Sequence, residues 1–329
     1  MQYFQYIDEN HIKCLLCKHH CSLKKDGHGI CGINFNEDSK LVNKTYGHPS
    51  AMHLDPVEKK PLFHFFPSTT SFSIGTVGCN FRCPFCQNYS ISQTTKVNED
   101  IYYSAQDIVT LALNNNAHSI SYTYNEPTIW YPYAKDIGIL AKENGLKNIF
   151  VSSGYESDEV LEDMLPWVDA ANIDLKSFSH DYYKKVLKTS LEGVLDTLVK
   201  IYQSNIWLEI TTLIIPDVND SDEELHKMAN FIANRLSVDV PWHLSAFHPS
   251  YKMLETDNTP LSTLQRAKEI AQSYGIKYVY IGNIQNDSST YCPKCNKKLI
   301  DRDWFNSKNI GIIDSKCSNC STKIEGVFS

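Results

Sequence analysis

The chain has no excess of basic residues: 31 Lys and Arg stand against 38 Asp and Glu, a formal net charge of −7. That balance supplies no positive field for nucleic acid or an anionic membrane surface, so neither is expected as a partner. No apolar run is long enough to span a bilayer. The opening stretch, Met1 to Glu9, lacks the basic residues and the apolar run of a signal peptide. A cytoplasmic location, where cysteines stay reduced, is therefore expected. A disulfide framework is disfavoured as well, because the cysteines number eleven, an odd count.

What is present is metal chemistry. The eleven cysteines fall into separated groups of four, three and four, with none left over. The chain around them is ordinary for a globular protein, at 42% hydrophobic and 21% charged residues, and its 329 residues can bury a large core.

The middle group carries the most information. Cys79, Cys83 and Cys86 follow a strand-like run, Phe72 to Val77, at C-x3-C-x2-C spacing. Three thiolates on a tight loop can hold three irons of a 4Fe–4S cluster and leave the fourth without a protein ligand. An open position of that kind marks a reactive metal rather than a structural one. By spacing alone, the loop could also be a fragment of a four-cysteine zinc or ferredoxin site.

With Phe85 before the last cysteine, and with Leu54-Asp55-Pro56-Val57-Glu58-Lys59-Lys60-Pro61-Leu62-Phe63-His64-Phe65 upstream, this region resembles the radical SAM superfamily. More narrowly it resembles the AmmeMemoRadiSam-system radical SAM enzymes, relatives of the pyruvate formate-lyase activating enzymes. The resemblance runs from about Cys14 to Phe328. It implies S-adenosylmethionine (SAM) at the open iron, cleaved reductively to methionine and a 5′-deoxyadenosyl radical that abstracts hydrogen from a substrate. It also implies a reductant of flavodoxin or ferredoxin type, and it points to Memo-like and AMME-region proteins as partners. An activating enzyme for a glycyl-radical enzyme is the alternative within this chemistry. A non-catalytic multi-zinc scaffold is the alternative of another class.

From about 70 to 285, strand and helix patterns alternate, as repeated βα units with a parallel sheet do. The strands expected are Phe72–Val77, Ser119–Tyr124, Asn148–Ser152, Ala170–Leu175, Trp207–Ile215, His243–Phe247 and Tyr278–Ile281. Ser104, Ser157 and Ser221 are expected helix caps, the last with Glu224 completing a capping box, and a final helix is expected from Ser262 to Gly275. Six units and a trailing strand fall short of a closed eight-unit barrel. The resemblance implies the same answer: an α/β fold built on a partial (βα)6 barrel. A doubly wound sheet is the alternative by pattern. The expected divisions are a cysteine-rich extension over 1–66, the barrel over 67–287 and a zinc ribbon over 288–329.

The extension carries Cys14, Cys17, Cys21 and Cys31, suited to a closed tetrahedral zinc site or an accessory iron–sulfur cluster. Little regular structure is expected before Phe63, with Leu62–Pro67 packing on the next domain. At the other end, Cys292, Cys295, Cys317 and Cys320 form two C-x2-C knuckles, a strong structural-zinc signal with rubredoxin-like iron as the alternative.

Residues at carboxyl ends of strands are the candidates to surround SAM. Glu126, after the second strand, can accept from its ammonium and matches the carboxylate of the family's Gly-Gly-Glu-Pro-like motif. The glycines of that motif are replaced by Tyr124 and Asn125, and Asn125 is kept as a candidate. Ser152 and Ser153 precede the turn residue Gly154. Asp174 and Lys176 share one face of the fourth strand by its period of two, and the resemblance places them at the ribose. Activating enzymes often carry an arginine in the fifth-strand segment; it is absent here, and Thr211 is the substitute. His248, after the sixth strand, matches a histidine near the methionine or adenine. Phe85 completes the set.

Overall fold

The computed structural model describes residues 2–328. Its centre is one eight-stranded sheet, laid out in sequence order: β1 (Ala51–Pro56), β2 (Thr70–Gly75), β3 (Ser119–Tyr122), β4 (Lys147–Ser152), β5 (Ala170–Asp174), β6 (Trp207–Ile214), β7 (Trp242–Ala246) and β8 (Val279–Gly282). All neighbours are parallel except β1 and β2, which pair antiparallel. The strands are short and nearly all buried, as strands covered on both faces must be. Seven of the eight lie within two residues of the positions the sequence suggests.

Six helices alternate with the parallel strands: α1 (Ala105–Asn114), α2 (Tyr131–Glu143), α3 (Asp158–Met164), α4 (Leu191–Tyr202), α5 (Asp222–Phe231) and α6 (Leu261–Ser273). The strand order never reverses, so the sheet is wound in one direction and the doubly wound alternative is set aside. Local chemistry starts these helices. Ser104 and Asp107 form a reciprocal capping box on α1, while Ser157 and Ser190 cap α3 and α4. Ser221 caps α5, but the expected box with Glu224 does not form. The Glu224 carboxylate accepts instead from Ser177 Oγ and the Phe178 N–H, tying α5 to the loop after β5. Pro260, not Ser262, precedes the first turn of α6. Gly138 lets α2 approach the core closely, since a Cβ there would lie 2.1 Å from the Trp167 ring.

The expectation of little regular structure before Phe63 is corrected. Strands at Phe4–Asp8, His11–Cys14 and Ser22–Lys24 form an antiparallel sheet, Asn34–Glu37 and Lys40–Asn43 form a hairpin, and β1 joins the main sheet. These strands are polar and partly exposed, so they carry none of the apolar signal that betrays buried ones.

Leu62–Pro67 does pack on its neighbours. Glu209 of β6 accepts the N–H groups of Phe63 (3.0 Å) and His64 (2.8 Å), with Trp207 Nε1 at 3.0 Å and His243 Nε2 at 2.7 Å. From the other side, Arg302 donates to the Phe63 carbonyl at 2.6 Å and lays its guanidinium over the Phe63 ring. His64 Nδ1 donates to the Glu325 carbonyl. Phe63 thus joins the sheet to the small C-terminal module.

Candidate functional site

The carboxyl ends of the strands open on a cavity of about 510 Å³. Among the residues lining it are Cys79, Cys83 and Cys86, together with Phe85, Asn125, Glu126, Ser152, Ser153, Asp174, Lys176 and Thr211. The sequence-derived set therefore converges, with one exception. His248 is not part of the lining: its Nδ1 meets Asn258 Oδ1 at 2.6 Å and its Nε2 donates to the Asn283 carbonyl at 2.8 Å.

The three-cysteine loop follows β2 through Gly78, whose φ of +88° favours glycine. Asn125 braces this loop from the cavity wall. Its amide donates to Thr76 Oγ1 (3.1 Å) and the Gly78 carbonyl (3.0 Å), and its oxygen accepts from Thr76 N and Trp130 Nε1. Burial pushes the Cys83 thiol up to about 12 and raises Cys79 further, with Glu126 adding to the second. Buried thiols of this kind stay protonated until a cation takes the proton's place, which is the behaviour of metal ligands.

Glu126 is buried beside a second carboxyl, Glu156, which the sequence reading did not single out. Burial first, and then Glu156, push Glu126 up to about 7. Geometry explains the pairing. Ser152 Oγ reaches Glu126 Oε1 at 2.8 Å and also contacts Glu156 Oε1, yet a hydroxyl has one proton to give. One contact therefore requires a proton on a carboxyl, in keeping with the raised Glu126. Thr128 Oγ1 (2.7 Å) and the Ser153 N–H (2.8 Å) complete the Glu126 shell, whereas Glu156 Oε2 has no partner. A site built this way accepts a cationic group.

Across the cavity, Lys176 Nζ meets Asp174 Oδ2 at 2.6 Å. Burial works against the ammonium, but Asp174 and Cys83 outweigh it and hold Lys176 above the usual lysine range. Thr211 Oγ1 donates to Asn172 Oδ1 at 2.9 Å. Lys60 and Tyr124, also in the lining, belong to a cluster that sequence reasoning missed. Tyr124, in a left-handed conformation (φ +70°), turns its hydroxyl to Asp55 Oδ2 at 2.7 Å, and Lys60 Nζ reaches the same oxygen at 2.6 Å. Burial lowers Lys60 to about 8, while its bond to Asp55 opposes the fall. The available signal was two lysines and two acids interrupting an apolar stretch just before Phe63.

Two further cysteine sets lie outside the cavity lining. The sulfurs of Cys292, Cys295, Cys317 and Cys320 all lie within 4.8 Å of one another. Cys14, Cys17, Cys21 and Cys31 gather behind the three-cysteine loop: Cys14 N donates to the Cys21 carbonyl at 2.9 Å, and the Cys21 and Cys31 sulfurs flank Gly29.

Comparison with known proteins adds to this geometry. A model of the radical SAM superfamily matches residues 73–229. An uncharacterized protein of Methanocaldococcus jannaschii is 40% identical over 333 residues, spanning 99% of this chain and 98% of its own length. Pyruvate formate-lyase 1-activating enzyme of Escherichia coli is 21% identical over 218 residues, 62% of this chain and 89% of its own. The crystal structure of a radical SAM methyltransferase from Sphaerobacter thermophilus matches with a TM-score of 0.54 at 15% identity, covering 86% of this chain and 79% of that one. At that identity the likeness is one of fold.

Proposed function

This chain belongs to the radical SAM superfamily, as an enzyme related to the pyruvate formate-lyase activating enzymes, and from that membership we propose that Cys79, Cys83 and Cys86 hold a 4Fe–4S cluster beside a SAM site. Membership in an enzyme superfamily sets aside the non-catalytic scaffold. When bound, cluster and SAM together supply a one-electron cleavage giving methionine and a 5′-deoxyadenosyl radical that removes hydrogen from a substrate. The convergence of three thiols, two of them buried, and the Glu126–Glu156 pair on one cavity carries this reading.

The chain's own residues bind and orient. Glu126, braced by Ser152 and the Ser153 N–H, would accept the SAM ammonium and give up its proton in doing so. Asp174 would offer its other oxygen to ribose hydroxyls while Lys176 holds Oδ2. Thr211 would add a hydroxyl on the neighbouring strand, and Phe85 an apolar wall for the adenosyl group. The Asp55–Lys60–Tyr124 cluster would face the substrate side.

The same reading takes the sheet as an open (βα)6 partial barrel, supported by its sequential order and unpaired edges. It takes residues 288–329 as a zinc ribbon, supported by the close approach of four sulfurs. It assigns the chain to the AmmeMemoRadiSam group, with Memo-like or AMME-region partners, a flavodoxin- or ferredoxin-type reductant and a cytoplasmic location. The eleven free cysteines suit that location. A glycyl-radical activating role is a second reading, favoured by the similarity to the Escherichia coli enzyme.

Deoxyadenosine formation tests the proposal. Protein prepared without oxygen, reconstituted with iron and sulfide and given SAM and dithionite should form deoxyadenosine, and Cys86→Ala should not. Cysteine-independent product, or a chain that takes up no iron, would end this reading.

A further inference from the structure

The proposed function leaves four cysteines unused, and they are packed against the reactive loop. Three of them, Cys14, Cys17 and Cys31, are buried, and Cys21 is half-buried. We infer that Cys14, Cys17, Cys21 and Cys31 hold a second iron–sulfur cluster, a 4Fe–4S cube rather than a zinc ion, which passes single electrons to the first across Asn80. This rests on the reading of Cys79, Cys83 and Cys86 as ligands of a cluster.

The spread of the sulfurs separates cluster from ion. Four thiolates on one tetrahedral zinc, each at about 2.3 Å, stand roughly 3.8 Å apart. The C-terminal sulfurs fit, with Cys292 to Cys320 and Cys295 to Cys317 both 3.6 Å. Among the described residues that set is the one group of three or more such ligand atoms lying within 4.8 Å of one another. The N-terminal four do not meet that limit, and neither do Cys79, Cys83 and Cys86. Yet the N-terminal four do converge. A Cβ on Gly29 would sit 3.5 Å from Cys21 Sγ and 3.8 Å from Cys31 Sγ, and the thiols of Cys14 and Cys17 each feel Cys31. Thiolates that each hold a separate iron of a cube stand farther apart than thiolates sharing one ion. The N-terminal set, like the reactive loop, lies outside the close spacing of the C-terminal four.

The two sets are also joined. The Cys31 carbonyl lies where a Cβ on Gly78 would come within 2.9 Å of it. His19 Nε2 donates to the Asn80 carbonyl at 3.1 Å, and Arg82 spans from the Cys79 carbonyl (2.6 Å) to that of Ile30. Asn80 itself is fully buried. Its Oδ1 is 4.0 Å from Cys79 Sγ, and its side chain lies beside Cys17. Its Nδ2 has no hydrogen-bond partner among the described residues. A buried amide left short of an acceptor, between two sulfur sets, suits anionic cluster sulfur on the Cys17 side. The electron count closes simply. A low-potential one-electron donor, dithionite in the assay, reduces the N-terminal cluster; that cluster returns to its oxidised state as the reactive cluster gains the electron that SAM cleavage consumes.

Metal counting tests the second cluster without any turnover. The triple variant Cys79→Ala/Cys83→Ala/Cys86→Ala, reconstituted without oxygen, should keep about four irons and about four sulfides beside one zinc, against about eight irons in the parent chain. Two zincs and no iron in the variant, with about four irons in the parent, would overturn the second cluster and leave the proposed function standing. Should the variant not fold, the dithionite-reduced parent decides by electron paramagnetic resonance: two interacting cluster signals are expected, and one isolated signal overturns the inference. For the relay, Asn80→Ala should keep both clusters, lower the midpoint potential of the N-terminal one and slow reduction of the other in freeze-quenched samples. Wild-type potential and rate in that variant would remove Asn80 as the link.

Discussion

The C-terminal and central cysteine sets hold sulfur in different environments. In the C-terminal module, hydrogen bonds from Thr322 pull Cys320 down to about 6, and an Asn319 bond leads those that lower Cys295. Burial nonetheless raises Cys292 of the same set to about 11, and the four sulfurs sit at the separation of ligands on one ion. In the cavity, burial raises Cys79 and Cys83, and the sulfurs stand wider apart. On the proposed reading the first set would capture a metal and hold a small fold together. The second lines a cavity, where burial favours the protonated form of two of its thiols. The difference lies in environment, since both sets are made of the same residue.

The largest break in this comparison is Cys86→Ala, which should reduce deoxyadenosine to background, measured by chromatography, while the C-terminal metal stays. Next is Cys317→Ser, which removes a buried ligand from the other set. Metal binding at such sites contributes on the order of 10 kcal/mol to folding, so residues 288–329 should lose metal and become protease-sensitive while the sheet remains protected.

A smaller effect is expected where the two regions meet. Glu209→Gln would leave two of four donors facing an amide N–H in place of a buried carboxylate oxygen, at a cost of roughly 3–5 kcal/mol read as a lower denaturation midpoint. The smallest effect is one of pH. Glu126 in the folded, unliganded chain titrates near 7, above its unfolded value, so the folded state holds the extra proton. Its contribution is full below the unfolded value and is lost as pH rises through about 7, so unliganded stability should fall across roughly pH 4.5 to 7. Glu126→Gln should flatten that fall. A cation bound at Glu126 should release a proton, so calorimetric SAM binding near pH 6.5 should depend on the ionisation enthalpy of the buffer.

Much of this was legible in the sequence because buried parallel strands leave apolar runs. Ala170–Asp174 and Lys147–Ser152 announce themselves, and their polar termini then point to Ser152, Asp174 and Lys176. β1 was not legible: Ala51–Pro56 contains His53, Asp55 and Pro56 and exposes its middle, so neither period nor composition marks it. Glu156, Asn80 and Lys60 were missed for another reason. Their roles depend on which distant segment they meet, Glu126 for the first, Cys17 for the second and Tyr124 for the third, and spacing along a chain does not encode such meetings. His248 shows the converse, a residue at a strand end whose two nitrogens the fold uses elsewhere.

Phe63 lines the cavity while being held by Glu209 on one side and by Arg302 of the metal-gathering module on the other. A residue shared in this way makes the two binding equilibria reciprocal. Whatever factor a C-terminal metal adds to the affinity of a cavity ligand through Phe63, the ligand adds to the affinity for that metal, so metal scarcity would be felt by the chain as weaker hold on its substrate.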